Sequence, residues 1–311
     1  MRLFWLLLNL PLVFWQQDIQ TAPALKQAGF EQIAVSPDRA DAWQKAGFKP
    51  VAMSSDELAR RQQLLAPRVA GRANVASATR RPWIDANGWR FTRNPAGKFS
   101  YDLPAGRAAL AAAEAFAYGA DAVLKIDPAD LEEAGKMLAF LRTLPQDAWP
   151  PVADLAVVDD GAPELDEVLN LLARRNLLFR IVTDSGSQFP ITIKLGTTEY
   201  PKSEAANPSA FAQKIRRLLG DDKRSLRIYG TEVVIGRLTG DGKRARVHLL
   251  NYSGREADGL RVRLRGMYGK GEARAFGYDR VPLADFVAAG GATEFTLTRM
   301  GIYAMAELTA K

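Results

Sequence analysis

Near residue 225 the pattern of this chain changes, and that change limits its possible folds more than any other feature. Upstream, helix and strand signals alternate; from Leu226 onward strand signals alone remain. Glu232 to Leu238 and Arg244 to Leu250 flank the glycine-containing turn Thr239-Gly240-Asp241-Gly242-Lys243, and Leu260 to Arg265 alternates apolar and basic as a half-buried strand must. Thr293 to Thr298 and Ile302 to Leu308 add further strands, so this part reads as an antiparallel β-sandwich.

The upstream part reads as an α/β domain. Ala-Gly-Phe occurs at 28–30 and again at 46–48, each time closing a helix and opening a strand. Asp154 to Val182 is the clearest unit: the strand Leu155 to Val158, a turn at Asp159-Asp160-Gly161, a helix with apolar Leu165, Val168, Leu169 and Leu172, then the strand Leu177 to Val182. Strand–helix–strand with short links is a right-handed parallel crossover. The expected fold is therefore α/β followed by all-β: a parallel or mixed sheet, either an incomplete barrel or doubly wound, over residues 18–225, and a sandwich over 226–311. A further division near 150 stays open.

The first seventeen residues are expected to stand outside that fold. Arg2 precedes the run Leu3 to Trp15, broken by Asn9 and Pro11, and Gln16-Gln17-Asp18 follow it. This is the length of a signal-peptide apolar region and short of the about 20 residues that span a bilayer. Residues 1–17 read as an export signal, with an uncleaved anchor as the alternative, which places the protein in the periplasm or outside the cell.

Composition removes several chemistries. The 311 residues contain no cysteine and one histidine, His248, which excludes thiol nucleophiles, thiolate metal sites and multi-histidine zinc sites. No phosphate-cradling glycine loop is present, and no cofactor is expected. Residues 60–107 hold ten Lys/Arg against two acids, whereas 108–170 hold three against thirteen. No nucleic-acid motif accompanies the basic stretch, so no nucleic-acid partner is expected.

The segment Pro82 to Phe91 carries the strongest functional pattern. Trp83, Asp85, Asn87, Trp89 and Arg90 combine indoles that can stack on a sugar face with groups that can hydrogen-bond its hydroxyl rim. The alternative is that both tryptophans pin the loop into a neighbouring core. Asp159 and Asp160 follow a buried strand, where ligands of α/β sheets bind, and Asp127 and Asp85 complete the candidate catalytic acids; helix capping is the favoured reading of Asp159 and Asp160, and of Asp127 above all. Arg261, Arg263 and Arg265 share one strand face and read as its solvated side.

Val247-His248-Leu249-Leu250-Asn251-Tyr252, the Leu260 to Leu264 strand and Gly301-Ile302-Tyr303-Ala304 together resemble the C-terminal β-domain of β-galactosidase-like glycoside hydrolases. The 154–182 unit is similar to the amidotransferase-like α/β domain of the same proteins. The resemblance implies a glycan-associated, glycoside-hydrolase-like role with a carbohydrate ligand; a non-catalytic scaffold or assembly protein is the alternative, and a homo-oligomer fits either. The catalytic glutamates of that family have no counterpart here, so no catalytic residue is carried over. If the chain is catalytic, hydrolysis by carboxylates is the mechanism its inventory supports.

Overall fold

A computed structural model describes residues 10–70, 83–184 and 188–310. Residues 1–9, with Leu3 to Asn9 of the apolar run, 71–82, with Pro82 of the aromatic-polar segment, 185–187 and 311 lie outside the described residues. The chain divides into two compact units, Met1–Arg68 with Asn94–Ala148, and Val69–Arg93 with Trp149–Lys311.

The first unit is built on six parallel strands: β1 (Leu12–Val13), β2 (Gln32–Val35), β3 (Lys49–Ala52), β4 (Gln62–Leu64), β5 (Lys98–Asp102) and β6 (Asp121–Lys125). β1 pairs with β6, β6 with β5, β5 with β4, and β2 with β3. A parallel bridge from Phe14 to Ala34 joins β1 to β2, and the Trp15 amide donates to the Ala34 carbonyl at 2.8 Å. The order is thus β3-β2-β1-β6-β5-β4. A doubly wound sheet reverses direction at a switch point. Here successive strands step the same way round and the sixth lies beside the first, which is the order of a parallel barrel opened between β3 and β4.

For the described part of residues 1–17 the expectation of a segment outside the fold is corrected by this arrangement. Val13, Phe14 and Trp15 are buried, and β1 sits between β2 and β6. A strand covered on both faces is a continuous apolar run, as is a signal-peptide core, so local pattern does not separate the two. Phe14 packs with Ala34, Met53 and Val123, and Leu12 and Leu58 flank this cluster.

Around the strands, the helix Ala108–Tyr118 is buried from Ala108 to Ala117 because its alanines let it lie close to its neighbours, among them the helix Leu131–Thr143. It ends at Gly119, whose φ of 64° is the left-handed geometry that favours glycine. Its start is capped from a distance: the buried Asp130 carboxylate accepts the amides of Gly106, Arg107 and Ala108 at 2.6, 3.0 and 3.0 Å.

The second unit combines a small α/β layer with the antiparallel strands. β7 (Leu155–Val158) lies between β8 (Phe179–Val182) and β9 (Thr192–Ile193), all parallel. The helix Glu164–Arg174 buries Leu165, Val168, Leu169 and Leu172 as its periodicity predicts, together with Phe211 and Ile215 of the helix Pro208–Leu219. Nine antiparallel strands from Leu226 to Ala310 then form a four-stranded and a five-stranded sheet around a core that includes Val247, Leu249, Val262, Leu264, Phe295 and Leu297.

The change of pattern at 225 marks a change of architecture inside one compact unit. Asn176, at φ 52°, donates through Nδ2 to the Val234 carbonyl at 3.2 Å and accepts the Gly236 amide at 2.7 Å. Asp154 accepts the Ser225 amide at 3.0 Å and its hydroxyl at 2.5 Å. Burial pushes the Asp154 carboxyl up, against the lowering effect of those bonds.

Candidate functional site

The aromatic-polar segment folds into the second unit as a short strand, Trp83–Asp85, and a helix, Gly88–Arg93. Its polar groups largely satisfy one another. Trp83 Nε1 donates to Asp85 Oδ1 at 2.9 Å, and Arg90 Nη1 donates to Asn87 Oδ1 at 3.1 Å. Asn87 is buried, and its carbonyl accepts the amides of Arg90 and Phe91, which starts the helix. Trp89 is 4% exposed, belongs to the same buried core as Leu165 and Leu169, and carries the Arg90 guanidinium 4.1 Å from its ring centroid. An indole so enclosed has no face to lay on a sugar. Trp83 is half-buried, with the Arg174 guanidinium 4.6 Å from its ring centroid. Of the two readings of this segment, the geometry favours a packing element.

The candidate acids are similarly occupied. Asp159 is gripped by Arg93 through Nε and Nη2 at 2.6 and 2.7 Å, and it also accepts the Gly161 amide at 2.9 Å. Arg93 reaches Asp166 on the helix that follows. The Arg93 hydrogen bonds hold the Asp159 carboxyl below the ordinary range, and Asp159 in turn raises the guanidinium. Asp160 is exposed and accepts the Ala162 amide at 3.0 Å. Asp127, in the first unit, caps the turn Pro128–Asp130 by accepting the Ala129 amide at 2.9 Å. Each of these three acids does the local work of a turn or helix start.

An expected result follows for Asp159. Its folded pKa is depressed, so its contribution is full above the unfolded value, about 4, and disappears as pH falls through the folded one. Asp159→Asn should cost about 1–2 kcal/mol in urea denaturation at pH 7, and the gap from wild type should close in acid. A gap that does not narrow as pH falls below the unfolded value would mean that the aspartate acts through something other than its charge.

His248 offers no catalytic base. It is buried in the five-stranded sheet with Nδ1 2.7 Å from the Tyr303 hydroxyl; burial, with Arg237 and Arg246 nearby, drives its pKa well down. Arg261 and Arg263 both face Glu294, at 2.7 and 3.7 Å. Among the described residues no group of three or more His, Asp or Glu could hold a metal ion, and no helix is long and apolar enough to cross a membrane.

The first unit contains what the sequence reading missed. A cleft of about 460 Å³ opens at the carboxyl ends of its parallel strands. Gln16, Ser36 and Arg39 line it from the segments after β1 and β2, and Asp102 and Lys125 from the ends of β5 and β6. It continues past Ser100 and Gln63 to Arg61 at the start of β4, with Phe14 and Leu58 as apolar surface. Lys125 Nζ lies 3.1 Å from Asp102 Oδ2, a carboxylate whose side chain is 61% exposed. Arg61 is buried and donates to Asp121 Oδ1 at 2.8 Å and to the Phe99 carbonyl at 3.3 Å. Arg39 donates to the backbone carbonyls of Gln16, at 2.7 Å, and Gln17. A signal was present in the sequence, since Gln16 and Ser36 each directly follow an apolar run, but they lie 20 residues apart and no local pattern connects them.

No protein-family model matches the chain, and no curated protein matches its sequence. Similarity is found among solved structures. The α-L-fucosidase isoenzyme 2 from Paenibacillus thiaminolyticus matches 94% of this chain and 79% of its own, at 10% identity and a TM-score of 0.55. A rhamnosidase from Novosphingobium sp. PP1Y matches 88% of this chain and 38% of its own, at 12% identity and a TM-score of 0.42. A β-galactosidase from Rahnella sp. R3 matches 64% and 51%, at 11% identity and a TM-score of 0.39. This chain thus spans about half, or less, of the last two proteins. At 10% identity the likeness to the fucosidase is one of fold: an α/β region of parallel strands followed by antiparallel β-sheets.

Proposed function

We propose that this protein binds carbohydrate in the cleft at the carboxyl ends of the first unit's strands. The observation that carries the reading is the cleft itself: about 460 Å³, within the range of small-ligand sites, with hydroxyl, amide and charged side chains arranged over an apolar surface. Sugars need that combination, since their C–H faces are apolar and their edges are rings of donors and acceptors. Parallel α/β architectures place ligands at this end of their strands. The glycoside-hydrolase-like fold supports the same ligand class.

The reading is one of binding rather than hydrolysis. Glycoside hydrolysis ordinarily uses two carboxylates about 5–10 Å apart. Among the described lining residues Asp102 is the single carboxylate, and it faces Lys125.

Calorimetric titration of the full chain against a panel of neutral and charged oligosaccharides tests the proposal. Saturable binding should be lost in Ser36→Trp, whose indole fills the cleft, and kept in Trp83→Ala. Loss of binding in Trp83→Ala, with Ser36→Trp unaffected, would return the ligand to the aromatic segment and overturn the cleft assignment.

A further inference from the structure

The cleft's charges are unequal, and the way each is held differs. Three cations line it, Arg39, Arg61 and Lys125, against one carboxylate, Asp102. Arg61 is neutralised at 2.8 Å by Asp121, which belongs to the β6 strand start and not to the cleft wall. Arg39 differs, because its two bonds go to the backbone carbonyls of Gln16 and Gln17. Those neutral acceptors fix the guanidinium in place without cancelling its charge, and among the described residues no carboxylate forms an ion pair with it. Lys125 is paired with Asp102, whose side chain is 61% exposed while that of Lys125 is 27% exposed. An ion pair with so exposed a partner is weak. The ammonium is therefore available to a better-enclosed anion.

We infer that the cleft selects an anionic saccharide, a sugar unit bearing a carboxylate or sulfate, through the pinned Arg39 and the exchangeable Lys125. The inference rests on the carbohydrate reading of this cleft and specifies its ligand. Arg39 supplies a pre-positioned positive charge, so little ordering is required when the anion arrives. Gln16 and Ser36, beside it on the cleft wall, supply neutral hydrogen-bonding groups for the adjoining hydroxyls. Lys125 exchanges Asp102 for the ligand's anion, and the displaced carboxylate turns to water, which its exposure already permits. Asp102 is the selectivity brake: while present it opposes the ligand's charge and competes for the ammonium.

The test measures affinities of the full chain for three probes of equal length: tetragalacturonate, neutral galactotetraose and a sulfated galactan tetrasaccharide. At low salt the charged probes are expected to bind about tenfold more tightly than the neutral one, with the margin narrowing as salt is added. Arg39→Gln and Lys125→Met should each remove most of that margin. Asp102→Asn should widen it, a gain that misfolding cannot mimic, and thermal unfolding of the three variants checks their integrity. The uronate and sulfate arms tell which anion the site takes. Equal affinity for neutral and charged probes, or a margin unchanged in Arg39→Gln and Lys125→Met, overturns the inference and leaves the carbohydrate reading standing. Absence of binding to all three probes overturns both.

Discussion

A chain that begins at Gln16 is expected to lose the folded first unit. The truncation removes Val13, Phe14 and Trp15, which are 1%, 8% and 3% exposed. By the usual cost of deleting buried Val, Phe and Trp side chains the loss is on the order of 10 kcal/mol, against a total stability of about 5–15 kcal/mol for an ordinary domain. Backbone losses add to it. The Leu124 carbonyl gives up the Phe14 amide at 2.8 Å, and the Ala34 carbonyl gives up the Trp15 amide at 2.8 Å. β2 and β6 are then left without the strand between them. Limited proteolysis should cut the truncated chain within residues 16–68 and 94–148 while intact protein resists, and Phe14→Ala alone should lower stability by about 3–5 kcal/mol. A truncated chain with the parent's protease resistance and unfolding transition would show that β1 is dispensable. The experiment also bears on export, because processing after residue 17 would remove the same strand.

Gly135→Ala should be the most damaging single-methyl change in the first unit. A Cβ built on Gly135 would stand 1.9 Å from the Ala28 carbonyl oxygen and 2.9 Å from its carbonyl carbon. Those are backbone atoms just past the helix Ala22–Gln27, so no side chain can swing aside to make room. The helix Leu131–Thr143 would have to move away from that turn, uncovering apolar contacts along its length. Alanine gains about 1 kcal/mol over glycine in a helix interior, whereas forced overpacking costs about 1–3 kcal/mol and more where backbone must shift. The net expectation is a loss of about 2 kcal/mol or more in urea denaturation. A rise in stability would mean that the two segments separate at little cost and that close approach does not hold them together.

The two architectures were legible in the sequence because each has its own local period. The alternation of Leu260 to Arg265 buries Leu260, Val262 and Leu264 and leaves Arg261 and Arg265 outward. The stripe on Glu164–Arg174 buries the residues it marks. Caps were readable for the same reason, since Asp127 and Asp160 act on amides two residues away. Trp89 was ambiguous because an indole suits a sugar face and a core equally, and the choice depends on what encloses it, here the core that also holds Leu165 and Leu169.

Local pattern, then, determined the parallel crossovers, the antiparallel C-terminal strands, the helix starts and the chemistries that an absent cysteine and a lone histidine rule out. Only the tertiary structure decided that the apolar segment at 10–15 is the strand between β2 and β6, and that Gln16, Ser36, Arg39, Asp102 and Lys125 share one cleft. The reason is range. Periodicity and capping act over a few residues, whereas the partners that turn an apolar run into a central strand lie 20 and 110 positions away, at Ala34 and Leu124. The cleft arises only when parallel strands far apart in sequence bring their carboxyl ends to one side.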